Sequence, residues 1–466
     1  MLMKKKWASR AICSLAAVGM LVMTGCSRLP AVTLDQLMEE VNAAHQAIGN
    51  DGLKKQFILR QNEDGTPITF AQQKPYYVDT AELEPYDPDL VLTRQQLEED
   101  TAYLFDALYT CYGNYDRMGG RAAFDAAEQS ILEECSQVDS LRAEDFQQVL
   151  LEHLSFVKDA HFQIQHESPS PSWYSYFFRE TAFYLDDGQY ITADHKTVAS
   201  VDGYEDLNGL FRRSISPEGE IVYYPVVLQD TTTWDEPLTV HYTDGTTQEL
   251  HSEPCDADAQ LDQVLSEDQD AVPSLREDNG IPVLQVNGMN DNSDWNEGFL
   301  GGADTLGNSK VSILDLRYNS GGSGELIDDW LEAYAKTQVP ANSLGRNAFT
   351  GEQLYLNRDE WVENENLLII LTGKYTASSA EWLIDAAYNL ENVLLIGENT
   401  TGAMVGSITY AALPNSRMVI GIGPIEACIP DTNDYFEECR GFYPDLWVPT
   451  AEAEELAVKL LEQNDQ

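Results

Sequence analysis

The feature that most constrains the fold is a serine placed between a predicted strand and a predicted helix. The apolar run 367–372 has the length and composition of a buried strand. Thr-Ala-Ser-Ser-Ala-Glu follows at 376–381, and apolar residues then recur at helical spacing up to Leu390. Alternation of strands and helices is typical of an α/β core. At such a junction, free backbone N–H groups and the positive end of the helix favour negative charge near Ser378.

A second strand, at 311–317, runs into a turn that contains Gly321 and Gly322. The two junctions together supply a nucleophilic hydroxyl and backbone amides for an oxyanion, which are the requirements of acyl transfer. The spacing of Ser378 and Glu381 is also that of a capping box, which would merely start the helix. The glycine turn on the other strand favours the nucleophile over this alternative.

The N-terminus predicts export and lipid anchoring. Lysines at 4–6 precede the apolar run 15–23, which is too short for a settled membrane span. Small residues directly before Cys26 resemble a bacterial lipobox, so 1–25 is predicted to be a lipoprotein signal peptide and Cys26 the lipidated residue. The expected location is the bacterial cell membrane, facing the extracytoplasmic side. An ordinary signal peptide or an uncleaved anchor are the alternatives.

Charge and cysteine content exclude several classes of partner and site. The 78 acidic and 28 basic residues give a net charge of −50, which disfavours nucleic acid as a partner. Five cysteines follow Cys26, and an odd number cannot pair completely. Cys428 and Cys439 are candidates for one disulfide, with free thiols as the alternative. No C-x-x-C spacing occurs, so no zinc site is predicted, and neither is any other metal or cofactor.

The pattern along the chain predicts an α/β multidomain protein. We assign 26–90 to a tether and small cap, and 91–160 to a helical region with apolar residues at helix spacing. Period-two alternation marks a β-rich module at 161–280. Strands and helices alternate in an α/β core at 281–466.

Four motifs occur in a fixed order along the chain: Asp-Leu-Arg-Tyr-Asn-Ser-Gly-Gly at 315–322, the serine motif at 376–381, Gly-Glu-Asn-Thr-Thr-Gly at 397–402 and Tyr-Pro-Asp at 443–445. The ordered set is similar to the C-terminal processing, or tail-specific, serine peptidases, and is closest to their branch that contains the tricorn core and interphotoreceptor retinoid-binding protein. The resemblance covers 285–449 and implies a ClpP/crotonase-like α/β peptidase core. It also puts the β-rich module where relatives carry a PDZ-like domain.

The resemblance implies a site and a reaction. Ser378 would be the nucleophile, with oxyanion donors at the Ser379 N–H and the turn of Gly321 and Gly322. The implied activity is hydrolysis of peptide bonds in a protein or peptide substrate through an acyl-enzyme. In the tail-specific branch a lysine follows the glycine of the third motif and acts as base, but this chain has Ala403 there. The Ser-Lys dyad of that branch is therefore missing.

The tricorn-like branch implies a histidine base instead. The segment 157–164 contains Asp-Ala-His-Phe, similar to the D-G-H-T pattern of that branch, so His161 is the expected base and His166 the second choice. Glu437 and Glu438 are candidates to orient the base, with a solvated loop as the alternative. Asp159 is a candidate to orient the local turn.

Two functions follow. The first is a membrane-anchored serine endopeptidase in which His161 activates Ser378. The alternative, motivated by the missing lysine, is a catalytically inactive protein of the same fold that binds an apolar ligand or peptide.

Overall fold

The computed structural model describes residues 32–48, 59–83, 85–357, 360–430 and 435–464. The predicted signal peptide and Cys26 lie outside these residues. Within them, no helix combines the length and the apolar character that a bilayer crossing requires.

Helices dominate the first part of the described chain. Helix α3 begins at a capping box, in which the Thr93 side chain accepts the backbone N–H of Gln96 and the Gln96 side chain accepts that of Thr93. The elements in chain order are α1 (Leu34–Gln46), α2 (Phe70–Gln73), β1 (Val91–Thr93), α3 (Arg94–Cys111), α4 (Gly120–Ser136), β2 (Ser140–Arg142) and α5 (Ala143–His153), with a 3₁₀ turn at Thr80–Glu82.

Short antiparallel strands follow, in agreement with their period-two pattern. They form one sheet in the order β4-β9-β5-β6, with β8 also paired to β9, and a second sheet in the order β11-β10-β7. Helix α7 (Ala257–Ser266) then leads into the core. The elements are β3 (Gln163–Ile164), β4 (Tyr174–Phe177), β5 (Phe183–Asp186), β6 (Gln189–Thr192), β7 (Val198–Val201), α6 (Leu207–Leu210), β8 (Phe211–Ile215), β9 (Ile221–Gln229), β10 (Leu238–Tyr242) and β11 (Thr247–Leu250).

A six-stranded sheet forms the α/β core, which confirms the predicted fold class. Its order is β12-β13-β14-β16-β17-β23, parallel except for the edge strand β12. The elements are β12 (Ser274–Asp278), β13 (Ile281–Gln285), α8 (Ser293–Gly307), β14 (Val311–Asp315), α9 (Ile327–Ala335), β15 (Leu344–Asn347), β16 (Leu367–Thr372), α10 (Ser379–Ala387), β17 (Val393–Gly397), β18 (Thr409–Ala412), β19 (Val419–Ile422), β20 (Ile425–Cys428), β21 (Phe436–Glu437), β22 (Gly441–Phe442), β23 (Leu446–Trp447) and α11 (Ala453–Asn464), with a 3₁₀ turn at Thr450–Glu452.

Alternate residues of β16 serve two hydrophobic layers. Leu368 and Ile370 pack in the layer that contains α8, α9 and α10. Ile369 and Leu371 pack in the opposite layer, with α1 and α11. Because both faces are covered, the strand is apolar throughout, as is usual for a central parallel strand.

The register of the sheet determines where the site forms. Asp315 at the end of β14 lies opposite Leu371 of β16, and Thr372 lies opposite Gly397 of β17. The three strands therefore end at one level. The turns that follow them, which contain the three core motifs, meet at the carboxyl edge of the sheet, where α/β proteins commonly bind ligands.

Strand β3 joins the core and not the antiparallel sheets of the β-rich module. Ile164 pairs with Ile420 of β19, and Gln163 pairs with Gly421. The inner faces of α3, α4 and α5 pack against the same strands, with Met418 and Ile420 in their shared hydrophobic cluster. These contacts bring the segment around His161 to the carboxyl edge of the core sheet.

Candidate active site

Ser378 occupies a strained turn between β16 and α10. Its φ of 55° and ψ of −118° lie in a region that L-residues rarely adopt. The backbone N–H of Ser378 donates to Glu381 Oε2 at 3.0 Å, as in a capping box. The side chain is partly exposed, and its Oγ lies 3.0 Å from Nε2 of His161. The capping role of the motif and the hydroxyl–imidazole contact therefore coexist.

His161 lies in the turn between α5 and β3, 7% exposed. Its backbone N–H donates to Asp159 Oδ1 at 2.9 Å, and its ring Nδ1 lies 3.7 Å from the same oxygen. Nδ1 is buried and has no hydrogen-bond partner among the described residues, so its 3.7 Å contact with Asp159 is an electrostatic one. Asp159 is thus the carboxylate that faces the back of the imidazole ring, while Ser378 faces its front.

Two residues of the helical region hold Asp159. Tyr112, at the end of α3, donates its hydroxyl to Asp159 Oδ2 at 2.8 Å, and Asn114 Nδ2 donates to the same oxygen at 3.0 Å. Burial alone would raise the pKa of Asp159. The hydrogen bond and charge of His161, with the Tyr112 hydrogen bond, outweigh burial and lower that pKa. The carboxylate is therefore charged at neutral pH.

The structure separates the two glutamates that the sequence left as alternatives. Glu438 Oε1 accepts the N–H of Ala160 at 3.1 Å, and its Oε2 accepts those of Met404 and Val405 at 3.0 and 3.1 Å. Burial and the charge of Asp159 raise its pKa well above the usual range. Glu438 thus ties the segment next to His161 to the 403–405 loop.

Glu437 points away from the site. It is exposed and pairs with Arg440 at 3.1 Å, and the Tyr443 hydroxyl donates to it at 3.2 Å. Consecutive residues of the two-residue strand β21 and the turn after it face opposite ways, which explains why only one of the two glutamates reaches the site.

The glycine turn lies directly against the nucleophile. Gly321 and Gly322 have φ of 95° and 129°, which only glycine adopts without strain. A Cβ on Gly321 would lie 2.7 Å from the Ser378 Cβ. The Gly321 N–H already donates to Asn319 Oδ1 at 2.9 Å, whereas the Gly322 N–H has no acceptor within the described part of the chain. Gly322 and Ser379, at the first turn of α10, therefore offer the two free amides beside Ser378.

Glu381 clamps the nucleophile turn to the loop after β17. Its Oε2 accepts hydrogen bonds from the backbone N–H groups of Ser378 and Ala403. Its Oε1 accepts one from the Gly402 N–H and one from the Thr400 hydroxyl. Burial raises the pKa of Glu381 above its ordinary value, although these hydrogen bonds oppose the rise. The residue at the position of the missing lysine, Ala403, is thus bound through its backbone.

Lys374 is buried, and its ammonium group binds backbone carbonyl groups. It is 2% exposed, and its Nζ donates to the carbonyl oxygens of Thr400 at 3.2 Å and Thr401 at 3.5 Å. Burial lowers its pKa to about 8. These contacts direct the ammonium group to the backbone of the 400–401 loop.

A comparison with known families gives one match. Residues 280–448 match the model of peptidase family S41. This part of the chain is an S41 peptidase domain. No match was found among curated protein sequences.

The chain also shows similarity to solved structures, among them the following three proteins. Mature CPAF is 13% identical, over 79% of this chain and 97% of its own, with a TM-score of 0.42. A lipoprotein from Streptococcus agalactiae is 12% identical, over 83% of this chain and 99% of its own, with a TM-score of 0.39. The tricorn protease is 15% identical, over 80% of this chain and 37% of its own, with a TM-score of 0.36.

The other residues considered in the sequence analysis are the cysteines, His166 and possible metal ligands. Cys428 and Cys439 are free thiols, as are Cys111, Cys135 and Cys255, so the disulfide alternative is wrong. His166 is exposed, with a φ of 67°, and lies on the turn after β3. Within the described ranges, no cluster of three or more histidine, cysteine or acidic side chains is arranged to hold a metal.

A buried glutamate of the S41 domain predicts a pH effect on stability. Glu398 Oε1 accepts hydrogen bonds from Gln260 of α7 and from the N–H and hydroxyl of Thr450. Burial and the charge of Asp256 raise its pKa to about 7. A raised carboxyl pKa stabilises the fold below the unfolded value of 4.5, and this stability is lost as pH rises through about 7.

We therefore expect the Glu398→Gln variant to lose this pH dependence. Glutamine keeps an oxygen for the three donors but has no ionisable proton. Denaturant unfolding at pH 5 and pH 8 should show a wild-type decrease of up to about 3 kcal/mol that is smaller in the variant. Equal decreases in both proteins would show that Glu398 does not titrate in this range.

Proposed function

We propose that the chain is a serine endopeptidase in which Ser378 attacks the scissile carbonyl and His161 is the general base. The observation that carries this proposal is the 3.0 Å distance between Ser378 Oγ and His161 Nε2, at a turn that lies against the Gly321 backbone. A nucleophile in contact with a base, beside backbone donors, is the arrangement of acyl-transfer enzymes.

The reaction follows from these positions. The Ser378 hydroxyl transfers its proton to His161 Nε2 as Oγ bonds to the substrate carbonyl carbon. The Gly322 and Ser379 N–H groups stabilise the oxyanion, and one such donor contributes about 3 kcal/mol. His161 then protonates the leaving amine as the C–N bond breaks. Water resolves the acyl-enzyme by the same steps, with His161 again as base.

Asp159 is proposed to orient the base, in preference to Glu437. Its Oδ1 lies 3.7 Å from His161 Nδ1, and its charged state stabilises the imidazolium that forms during the reaction. Tyr112 and Asn114 keep Asp159 in place. Glu438 acts one residue away, through the backbone of Ala160, and is a positioning residue.

The same contacts support a histidine base over a lysine base. The backbone at Ala403 is bound to Glu381, and the Lys374 ammonium binds the carbonyl groups of the 400–401 loop. The contact between Ser378 and His161 also favours a peptidase over an inactive binding protein, since a binding cleft does not require a hydroxyl and an imidazole in hydrogen-bond contact.

The test is cleavage of a quenched fluorescent peptide library by the purified protein. We expect wild-type protein to release fluorescence and the Ser378→Ala variant to lose at least about 10³-fold of that rate, because Ser378 Oγ is the hydroxyl in contact with His161. Cleavage by the variant at the wild-type rate would reject Ser378 as the nucleophile.

We further propose that the protein is anchored on the extracytoplasmic side of a bacterial membrane through lipid on Cys26. The support is the lipobox-like sequence before Cys26, which lies outside the described residues. The Cys26→Ser variant should lose palmitate labelling and leave the membrane fraction. Cys13→Ser, within the predicted signal peptide, is the matched control and should keep both. Labelling that persists in the Cys26→Ser variant would contradict the anchor.

A further inference from the structure

A cavity is lined in part by Tyr355, whose hydroxyl lies close to Ser379 of the nucleophile turn. It has a volume of about 290 Å³ and lies between helix α9 and the 353–356 segment. Val339, Leu354 and Leu356 supply apolar walls, and Asp328 and Glu332 supply two carboxylates. These carboxylates are four residues apart on α9 and therefore lie on one face of the helix. The cavity is smaller than most sites for drug-sized ligands and has the scale of a single long side chain.

Tyr355 forms the wall between this cavity and the proposed catalytic residues. A Cβ placed on Gly324 would lie 2.1 Å from the Tyr355 hydroxyl and 3.3 Å from Ser379 Oγ. Ser379 Oγ in turn donates to the carbonyl of Gly322 at 2.7 Å. The ring of Tyr355 also packs on Trp382 of α10, with the ring centroids 4.5 Å apart. The cavity is thus one aromatic side chain away from the proposed oxyanion donors.

Asp328, which lines the cavity, carries an unsatisfied acceptor. Asp328 Oδ2 accepts the backbone N–H of Leu356 at 3.1 Å. Its Oδ1 is buried and has no hydrogen-bond partner within the described ranges. A buried carboxylate oxygen without a donor is unfavourable, and a cationic donor from outside would relieve it. Burial also raises the pKa of Asp328, which a bound cation would reverse.

We infer that this cavity receives a basic side chain, arginine or lysine, of the substrate residue that precedes the scissile bond. The inference rests on the proposed peptidase function. Bound in this way, the aliphatic stem would lie along the apolar walls, as long basic side chains do. The cationic end would reach Asp328 and Glu332, and a guanidinium would also stack on the ring of Tyr355. The net charge of −50 attracts cationic peptides at long range.

The test compares two peptides that differ only in arginine or leucine before the cleaved bond. Wild-type protein should have a higher kcat/KM for the arginine peptide, and Asp328→Asn should reduce the arginine-to-leucine ratio by at least about tenfold. The leucine rate should change little. Asp329→Asn is the matched control, since this exposed neighbour on α9 does not line the cavity, and it should keep the wild-type ratio. An unchanged ratio in Asp328→Asn, or an equal loss in Asp329→Asn, would overturn the inference.

A binding measurement separates this inference from the proposed function. The Ser378→Ala protein should bind the arginine peptide more tightly than the leucine peptide in calorimetry, and Asp328→Asn in that background should remove the difference. Equal binding of the two peptides would reject the basic pocket even where cleavage is observed. A preference for arginine without any cleavage by the wild type would support the pocket and reject the peptidase.

Discussion

Replacing His161 with alanine is expected to lower kcat/KM for peptide cleavage by about 10³- to 10⁴-fold. Without the imidazole, the Ser378 hydroxyl loses the acceptor that lies 3.0 Å from it and must react as a neutral alcohol. The fold should persist, because the remaining contacts of this turn, such as the pairing of β3 with β19, do not involve the ring. Initial rates with a fluorogenic peptide measure the loss of activity, and a thermal unfolding curve measures whether the fold persists.

A second histidine provides the control for this prediction. His166 lies five residues later in the same segment but is exposed on the turn after β3. His166→Ala should therefore keep activity within about twofold of the wild type, as is usual for an exposed substitution. If His161→Ala keeps near-wild-type activity while Lys374→Met abolishes it, the base is the lysine and the proposed mechanism is wrong.

The largest effect on stability is expected for Glu381→Gln. The carboxylate of Glu381 accepts three backbone N–H groups and the Thr400 hydroxyl, all from the two loops that frame Ser378. Glutamine replaces one carboxylate oxygen with an NH₂ group. This group is a donor, so it cannot accept hydrogen bonds from the N–H or hydroxyl donors that it faces. Buried donors left without an acceptor cost about 1–3 kcal/mol each, so the unfolding free energy should fall by about 3 kcal/mol.

The Glu381→Gln variant should also cleave peptides more slowly than the wild type. The reason is that Ser378 and the 402–403 loop lose the carboxylate that binds both of them. Thermal unfolding and peptide cleavage of the same preparations measure the two effects. Glu363→Gln is the control, since Glu363 is exposed and its replacement should change stability by less than about 0.5 kcal/mol. A Glu381→Gln protein as stable as the control would show that the four hydrogen bonds contribute nothing net.

The strands and turns of the core were predictable because their signals are local. The apolar run before Ser378 became β16, and the run before Gly321 became β14, each within a residue or two of the predicted bounds. Helix α8 was not predicted, because its four glycines lower helix propensity. One of them allows close packing, since a Cβ on Gly302 would lie 2.6 Å from the Leu284 side chain.

The surroundings of the base were less predictable, because they depend on contacts distant in sequence. Nothing local marks Tyr112 or Asn114 as partners of Asp159, since the helix end that presents them is more than forty residues earlier. Glu437 and Glu438 are equivalent by spacing, and only the fold distinguishes them, through their exposure and their hydrogen-bond partners. In a chain with 78 acidic residues, a buried carboxylate resembles a solvated one until the fold is known. The family resemblance was therefore the signal that pointed to His161.

The most direct test of the central claim is the rate at which a fluorophosphonate modifies Ser378, followed by intact mass and peptide mapping. The account predicts one adduct, on Ser378, that forms in the wild-type protein, is absent in Ser378→Ala and forms at least about 10²-fold more slowly in His161→Ala. An adduct that forms equally fast without His161, or that maps to a residue other than Ser378, would contradict it.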